Sequence, residues 1–270
     1  MRAHELSAGF EWRSRPGPFR RVTAAQARAY DEQGFFVLED AIPRAGLERV
    51  IAAIDPFEAR VEELLRQAEG GRFFIARAGE ITFTTHLVTR SRELRDFVAS
   101  EPFRDLAWDL IGPDVRLYWD QAVYKKPGNP HPFPWHQDNG YAFVEPQQYL
   151  TCWIALTDAT LDNGCPIVVP GVHRGGTLAH QLTDLGWVCL SDPVETVAVP
   201  ARAGSIVVFS SLTPHCTGPN TTADVRRSYI VQFAPDGAAV LRRGDAGVER
   251  IPANDPERQF PILVGGRPPL

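Results

Sequence analysis

The sequence predicts a mainly β protein whose core is a sandwich or jelly-roll barrel preceded by helices. Up to about residue 114 the apolar residues recur at helical spacing, whereas from about 115 to 236 they alternate every second residue. Turn sequences rich in Pro, Gly and Asn divide the alternating region into short strands, as in sandwiches and barrels. No repeat of fixed length is visible, which argues against a solenoid or a propeller. We therefore expect one domain over residues 1–270.

Residues 1–22 are expected to form a polar arm, and residues 23–114 a helical support for the core. Thr23 is a good helix N-cap and Gly34 suits a helix end, so a helix is predicted between them. A proline inside a helix removes a hydrogen bond, so the apolar pattern of 43–69 predicts two helices interrupted at Asp55-Pro56. The other elements predicted before the core are a strand at 35–40 and short helices at 91–98 and 103–111.

The predicted core covers residues 115–236, and residues 237–270 are expected to form a tail rich in Pro and Arg. The segments of the core either alternate, which indicates half-buried strands, or are apolar throughout, which indicates buried ones. The predicted strands are RLYWDQAVYKK (116–126), QYLTCWIALTDA (148–159), CPIVVPG (165–171), ETVAVPA (195–201), GSIVVFSS (204–211) and RRSYIVQFA (226–234).

Composition argues against several classes of protein. The formal net charge is −5 and no basic stripe is present, which disfavours a nucleic-acid partner. The first residues carry basic side chains but no apolar stretch, so no secretory signal is expected, and no run is long enough to span a membrane. The four cysteines lack CxxC spacing, which predicts reduced thiols in a cytoplasmic protein. The sequence gives no prediction of oligomeric state.

The stretch WHQDNGY (135–141) contains a candidate pair of metal ligands. In a strand, residues two apart project to the same face, so His136 and Asp138 would aim at one point. An imidazole and a carboxylate so placed are two of the three ligands of a 2-His-1-carboxylate iron site. A lone His-x-Asp is close to background in a chain with seven histidines, and an ordinary polar patch is the alternative.

His215 is the best candidate for a third ligand. It ends GSIVVFSSLTPH, an apolar strand that is expected to be buried and would hold the imidazole rigidly. Among the other histidines, His173 and His180 are predicted on a surface loop after Pro170-Gly171. Taken alone, His215 is better explained as a hydrogen-bonded core or rim histidine than as a metal ligand.

The strand RRSYIVQFA contributes a candidate site for an anion. Arg226 and Ser228 share one face, while Arg227 and Tyr229 share the other. A guanidinium with a neighbouring hydroxyl suits bidentate capture of a carboxylate. An exposed arginine pair on an edge strand is the alternative.

Together these residues resemble the phytanoyl-CoA dioxygenase-like family of Fe(II)/2-oxoglutarate oxygenases. The resemblance covers about two-thirds of the chain and rests on three blocks in the order found in the family. The first leads from a Lys-Pro turn into His-x-Asp, the second carries an acidic turn, Asn-Gly and Pro-Gly-x-His, and the third runs from a distal His through Gly-x-Asn to an Arg. They are KPGNPHPFPWHQDNGY, TCWIALTDATLDNGCPIVVPGVHRGG and AGSIVVFSSLTPHCTGPNTTADVRRSYIVQFAP.

The resemblance implies a double-stranded β-helix core of the cupin-like jelly-roll type, together with a set of ligands. His136, Asp138 and His215 would hold Fe(II), leaving open positions for 2-oxoglutarate and O2. Arg226 would bind the distal carboxylate of 2-oxoglutarate. Further contacts with this co-substrate are implied for Gln121, Lys125, Trp153, Thr217 and Ser228.

The implied activity is that of a dioxygenase. Such an enzyme oxidises, most simply hydroxylates, a C–H bond of a small or medium organic molecule such as a natural-product intermediate, and releases succinate and CO2. Related halogenases lack the carboxylate ligand, so the presence of Asp138 disfavours halogenation. Epoxidation, desaturation, cyclisation and epimerisation stay open, as do a cupin-like metal isomerase and a non-catalytic jelly-roll binding protein.

The substrate is expected near residues that follow the metal pair or cover the mouth of the barrel. Segments 72–90 and 174–195 are predicted as loops or ribbons over that mouth. The candidate substrate contacts are Asn139, Tyr141, Phe143 and His86.

Overall fold

The computed structural model describes residues 1–244 and 247–269. Its α-helices precede the long strands, and none in the described part of the chain is long and apolar enough to cross a membrane. The helices are α1 (Ala24–Gln33), α2 (Arg44–Gln67), α3 (Arg92–Val98) and α4 (Glu101–Leu110). Short 3-10 turns are formed by Glu5–Ser7, Glu69–Gly71, Leu87–Thr89, Asp138–Gly140 and Val172–Gly175.

The strands account for most of the regular structure after residue 110. The first nine are β1 (Phe35–Leu38), β2 (Arg72–Phe73), β3 (Ala76–Arg77), β4 (Ile81–Thr85), β5 (Val115–Lys125), β6 (Phe133–His136), β7 (Phe143–Glu145), β8 (Leu150–Ala155) and β9 (Pro166–Val168). The remainder are β10 (Gln181–Thr183), β11 (Gly186–Val188), β12 (Val197–Ala198), β13 (Ile206–Ser210), β14 (His215–Thr217), β15 (Arg226–Pro235), β16 (Ala239–Gly244), β17 (Gly247–Pro252) and β18 (Pro261–Leu263).

Helix α1 begins and ends as its sequence predicts. The Thr23 side chain accepts the N–H of Gln26, and the Gln26 side chain accepts the N–H of Thr23, which completes a capping box. Gly34 ends the helix at φ 89°, and an added Cβ would lie only 2.5 Å from Thr213 Oγ1. Glycine is therefore required at this position by both conformation and space.

Helix α2 runs unbroken through Pro56, so the predicted interruption at Asp55-Pro56 is wrong. Its apolar face is buried on both sides of the proline, with Val50 and Ile54 before it and Leu65 after it. Packing of this face outweighs the roughly 3 kcal/mol that an interior proline costs a helix. The prediction failed because it considered the helix-breaking effect of proline but not the tertiary contacts of the helix.

Antiparallel sheets form the core. The largest has nine strands in the order β1-β13-β8-β15-β5-β4-β3-β2, with β18 also paired to β5. A smaller sheet has the order β12-β9-β14-β6. A third sheet, β17-β16-β7, and the ribbon β10-β11 complete the set.

The large sheet packs on both of its faces. Its outer face meets the helices in a cluster that includes Ile54, Leu106 and Tyr229. Its inner face packs toward the small sheet, as shown by Trp153 and Ile230 of the large sheet and Val168 of the small one in a single cluster. The prediction of a mainly β fold with N-terminal helices and a jelly-roll core is confirmed.

Two predicted loop regions contain more regular structure than expected. Within 72–90, β4 pairs with β5 along its whole length and so belongs to the large sheet, and the β2–β3 hairpin continues that sheet through the pairing of β3 with β4. The segment 237–270 was expected to be a tail, yet it forms β16, β17 and β18. Strand β16 pairs with β7, and β18 extends the edge of β5.

Candidate active site

Two neighbouring strands of the small sheet position the histidines of the predicted metal site. His136 is the last residue of β6, and His215, the first residue of β14, pairs directly opposite it. His215 was predicted to end one strand running through GSIVVFSSLTPH (204–215), which is wrong. That strand ends at Ser210 in the large sheet, and the chain then crosses to the small sheet, where β14 begins.

Asp138 reaches the same point by a different route from the one predicted. It begins the 3-10 turn Asp138–Gly140 rather than continuing β6, so it does not share a strand face with His136. The chain turns after Gln137, whose buried side chain donates to Gly176 O and Leu212 O and accepts from Leu178 N. Gln137 thus anchors the turn and points away from the metal ligands.

The three side chains form a compact cluster. Asp138 Oδ1 lies 3.9 Å from His136 Nε2 and 3.9 Å from His215 Nε2. One ligand atom from each residue lies within 4.8 Å of the others. The structure therefore brings together the three residues predicted to bind iron.

Hydrogen bonds give both imidazoles the state that a metal requires. His136 Nδ1 lies 2.8 Å from Pro134 O, and His215 Nδ1 lies 3.0 Å from Thr213 O. Because a carbonyl only accepts, each Nδ1 carries the proton and each Nε2 lone pair faces the cluster. Burial, followed by the charge of His215, holds the pKa of His136 well below its usual range, so this ring is neutral at pH 7.

The carboxylate of Asp138 is oriented by the large sheet. Thr151 Oγ1 donates to Asp138 Oδ2 over 2.5 Å, and Gln232 Nε2 lies 3.4 Å from Thr151 Oγ1. This contact leaves Oδ1 as the oxygen that faces the two imidazoles. Two imidazole Nε2 atoms and one oriented carboxylate oxygen fit a non-haem Fe(II) site of the 2-His-1-carboxylate type.

A pair of buried cations occupies the inner face of the large sheet. Arg226 is 1% exposed and Lys125 0% exposed. They are direct neighbours in the register of β15 and β5. Within the described part of the chain, no carboxylate lies at ion-pair distance from either. Burying two cations without an anion is unfavourable, so this place suits an anionic ligand.

Neutral groups hold these two cations in place. Lys125 Nζ donates to Thr217 Oγ1 over 3.1 Å and to Gly218 O. Arg226 Nη1 donates to Ser228 Oγ over 2.6 Å, and its guanidinium lies 5.3 Å from the Trp153 ring. Arg226 Nε and Nη2 are buried without an acceptor among the described residues. A carboxylate would satisfy both atoms at once, which is the geometry that a dicarboxylic acid such as 2-oxoglutarate offers.

The pKa values of both cations are lowered from their ordinary values. Burial, with Arg226 as the next cause, lowers the pKa of Lys125 to about 7. Burial likewise lowers the pKa of Arg226 to about 10. An anion bound between them would raise both values again.

The remaining predicted site residues lie at different distances from the cluster. Tyr141 packs edge-on against His136, with ring centroids 5.4 Å apart, and Gln121 accepts from Trp119 Nε1 on the inner face of β5. Asn139 is fully buried and bonded to Val144 and Thr177, so its amide is used within the fold. Phe143 packs on His4, with ring centroids 4.8 Å apart.

The histidines predicted on a surface loop are not exposed. His173 is fully buried and packs edge-on against Trp12. His180 accepts the N–H of Gln137 at Nε2, and its Nδ1 lies 2.9 Å from Leu178 O. Both nitrogens of His180 are therefore occupied, and it braces the turn that carries Asp138.

Sequence reasoning missed two polar residues beside the metal cluster. Thr151 lies two residues before Trp153 on β8, so the alternation of that strand already placed it on the inner face. Gln232 shares its face with Arg226 on β15 and pairs opposite Thr151. The period of two was a sufficient signal for both, but it could not show that this face reaches Asp138.

Comparison with known proteins decides the family. The sequence model described as Phytanoyl-CoA dioxygenase (PhyH) matches residues 30–228, which hold all three metal-cluster residues and Arg226. The chain belongs to the phytanoyl-CoA dioxygenase family. The resemblance found in the three sequence blocks is confirmed.

Two relatives of the phytanoyl-CoA dioxygenase type have low sequence identity to this chain over long aligned segments. A "Probable alpha-ketoglutarate-dependent hypophosphite dioxygenase" from Stutzerimonas stutzeri is 24% identical over 260 residues, covering 89% of each chain. A "Methylphosphonate hydroxylase" from Gimesia maris is 30% identical over 153 residues, covering 56% of this chain and 57% of that protein.

A solved structure gives the same fold. The non-haem alpha-ketoglutarate-dependent carbocyclase SnoK from nogalamycin biosynthesis superposes with a TM-score of 0.65, at 24% identity, over 83% of this chain and 89% of that one. The likeness confirms the cupin-like jelly roll expected of a phytanoyl-CoA dioxygenase relative. Together with the family match, the protein is a non-haem Fe(II)- and 2-oxoglutarate-dependent oxygenase.

Proposed function

We propose that this oxygenase holds Fe(II) through His136, Asp138 and His215 and hydroxylates a C–H bond of a small or medium organic molecule. One observation carries the proposal. The buried, anion-free pair of Lys125 and Arg226 lies on the sheet that also orients Asp138 through Thr151. A dicarboxylate held by that pair could reach the metal cluster with its other end.

The metal and its co-substrate supply the oxidation. When bound, Fe(II) and 2-oxoglutarate use O2 to replace a substrate hydrogen by hydroxyl, with succinate and CO2 as the other products. The residues of the chain contribute position and environment. The imidazoles, held by backbone carbonyls, and the oriented Asp138 keep the site ready for a divalent cation, and Arg226 and Lys125 fix the distal carboxylate.

Tyr141 and Trp153 are proposed to shape the space around the reacting groups. The Tyr141 ring covers one side of His136, and the Trp153 ring covers the guanidinium of Arg226. Apolar walls exclude water, which strengthens the charge interactions inside the site. Ser228 is proposed to fix the rotamer of Arg226 rather than to touch the co-substrate, because its hydroxyl is already bonded to Arg226 and Val123 O.

The names of the relatives favour hydroxylation of a small oxyanion-bearing molecule. One is a methylphosphonate hydroxylase and another a hypophosphite dioxygenase. The carbocyclase SnoK shares only the fold at its level of identity, so cyclisation is the second candidate and epimerisation or desaturation follow. We further propose a cytoplasmic enzyme whose partners are small molecules, since all four cysteines are free.

Succinate formation tests the proposal. The Fe(II)-loaded protein should convert 2-oxoglutarate to succinate in the presence of O2, slowly without substrate and faster when a panel of small organic acids contains a substrate. His136→Ala and Asp138→Ala should abolish this turnover, while Asp162→Ala, a carboxylate in a turn away from the cluster, should retain it. Absence of both Fe(II) binding and 2-oxoglutarate turnover in the unaltered protein would disprove it.

A further inference from the structure

A second polar cluster lies at the edge of the large sheet, outside the sites for metal and co-substrate. It consists of His86, Trp119 and Arg258. The rings of His86 and Trp119 meet edge-on, with centroids 4.3 Å apart. Arg258 Nη1 lies 3.1 Å from His86 Nε2, and because a guanidinium only donates, His86 accepts at Nε2 and carries its proton on Nδ1.

Arg258 is held on a tight turn rather than a loose tail. The turn is closed by Gln259 N–H donating to Asp255 O over 2.7 Å and by Asp255 N–H donating to Gln259 Oε1 over 3.1 Å. Asp255 also accepts from Arg258 Nε over 3.0 Å. Leu117 N–H donates to Phe260 O, which fixes the turn beside β5. The guanidinium is thus presented in a defined orientation, as a binding group requires.

The backbone of His86 is also held in a defined conformation. Its backbone is left-handed at φ 55°, which costs a non-glycine residue roughly 1 kcal/mol. Asp120 maintains this conformation, since its carbonyl accepts the N–H of His86 and its carboxylate accepts that of Leu87 over 2.8 Å. Backbone strain of this kind persists where the surrounding structure enforces it, and it concentrates at functional sites.

The cluster has donor atoms that no acceptor among the described residues uses. Among the described residues, His86 Nδ1 is buried without an acceptor. The bonds of Arg258 to Asp255 and His86 use Nε and Nη1, which leaves Nη2 available on a side chain that is 41% exposed. Burial, followed by the charges of Arg258 and Arg90, lowers the pKa of His86, and Asp255 opposes this change, so the ring is neutral and Arg258 carries the positive charge of the cluster. The Nη2 group of Arg258 suits an oxyanion.

The cluster lies in line with the metal site along the inner face of the large sheet. Trp119 pairs opposite Gln232, and Gln232 pairs opposite Thr151, which donates to Asp138. Two strand spacings separate Trp119 from Thr151, or about 10 Å. A molecule of medium size can therefore contact both places at once.

We propose that Arg258, positioned by His86, binds an oxyanion group of the substrate, with Trp119 lying between this group and the metal site. The substrate class is then a small or medium organic acid whose oxidised carbon lies several bonds from its carboxylate or phosphonate. This inference rests on the proposed function and deepens it. Arg258 lies beyond residues 30–228 matched by the family model.

Binding of defined probes tests the anion site. The Mn(II)- and 2-oxoglutarate-loaded protein is titrated calorimetrically with hexylphosphonate, heptanoate and uncharged heptanamide. Both anions should bind and the amide should bind at least tenfold more weakly. Arg258→Gln should weaken the anions at least tenfold and Arg258→Lys less, with the Kd of 2-oxoglutarate unchanged. Arg202→Gln is the matched control, because Arg202 is an exposed arginine paired with Asp40 and should change neither affinity.

Paramagnetic relaxation by Mn(II) measures the orientation of the bound probe relative to the metal in the unaltered protein. The distance from Mn(II) to the phosphorus of hexylphosphonate, derived from its relaxation, should exceed the distance to the terminal methyl group, because the phosphonate lies at the far end from the metal. Phosphorus nearer to Mn(II) than the methyl group, equal binding of the amide, no binding of either anion, or equal losses in Arg258→Gln and Arg202→Gln would each overturn the anion site. Failure of the unaltered protein to bind 2-oxoglutarate would instead overturn the proposed function.

Discussion

At the scale of single residues, hydrogen bonds orient the three side chains of the metal site. Asp138 uses one carboxylate oxygen for Thr151 and presents the other to His136 and His215. In both imidazoles Nδ1 is hydrogen-bonded to a backbone carbonyl, so Nε2 is the atom that can bind the metal. Such outer contacts fix ligand orientation before the metal arrives, which lowers the cost of binding it.

Arg226 should govern the affinity for 2-oxoglutarate. Truncating one member of a buried charge pair costs about 2–5 kcal/mol, so Arg226→Ala should raise the Kd of 2-oxoglutarate roughly 30-fold or more. Arg227→Ala is the matched control, because Arg227 faces the helices and lies 3.9 Å from Asp55. Calorimetric titration of the Mn(II)-loaded proteins measures both. A larger effect in Arg227→Ala would mean that the faces of β15 are assigned the wrong way round.

Lys125 should make 2-oxoglutarate binding depend on pH. Its pKa is lowered to about 7 in the free protein, so the ammonium is lost as the pH rises through 7. The bound carboxylate favours the ammonium, and binding above pH 7 must therefore take up a proton. The Kd should rise from pH 7 to 9 by up to about tenfold per pH unit.

Calorimetry in two buffers of different ionisation enthalpy measures the proton uptake on Lys125 directly. Lys125→Met should bind 2-oxoglutarate more weakly at pH 7 and show no rise in Kd above it. The same pH dependence in both proteins would assign the proton to another group.

At the scale of elements, the sequence predicted those features that depend only on residues close together in the chain, such as helix ends and strand faces. Thr23 and Gly34 were predicted as the ends of α1 because a capping box and a left-handed glycine involve only neighbours in sequence. The faces of β15 were predicted because alternation is also local. His215 was assigned to the wrong strand, because the crossing from one sheet to the other leaves no periodic signal in the sequence.

The residues of the metal site were predicted correctly, but the backbone structure that positions them was not. The residue types and the family blocks identified His136, Asp138 and His215, yet Asp138 lies on a 3-10 turn and not on the strand. Asn139 was expected near the substrate, but its amide is used to hold Val144. The contact of Arg258 with His86 joins residues 172 positions apart, and no pattern in either segment could indicate it.

Helix α2 offers a test of how packing overrides a helix breaker. Pro56 is an exposed interior residue, so Pro56→Ala adds an N–H for the carbonyl of Ala52 and removes the clash of the ring. The gain is reduced by the greater freedom of the unfolded chain, leaving a net stabilisation of about 1–2 kcal/mol. Urea unfolding followed by circular dichroism measures it. Pro43→Ala, at the N-cap where no N–H is needed, should bring no gain, and equal gains at both positions would contradict the explanation.

At the scale of the whole molecule, both ligand sites join the two facing sheets. His136 and His215 belong to the small sheet, while the carboxylate of Asp138 is tied to Thr151 of the large one. Lys125 of the large sheet likewise contacts Thr217 of the small sheet. Occupation of these sites should therefore stabilise the packing of the sheets, in addition to preparing the chemistry.

This arrangement predicts a large effect of ligands on thermal stability. A ligand at 100 times its Kd stabilises the folded state by about 2.7 kcal/mol, which for a chain of this size raises Tm by about 5 °C or more. Mn(II) alone should raise the Tm of the anaerobic protein, and 2-oxoglutarate should add to it only when Mn(II) is present, because its second anchor is the metal. Differential scanning calorimetry of the protein with each ligand and with both measures these shifts. Asp138→Asn should lose most of the Mn(II) shift and Asp162→Asn should keep it, whereas equal shifts in the two variants would place the metal elsewhere.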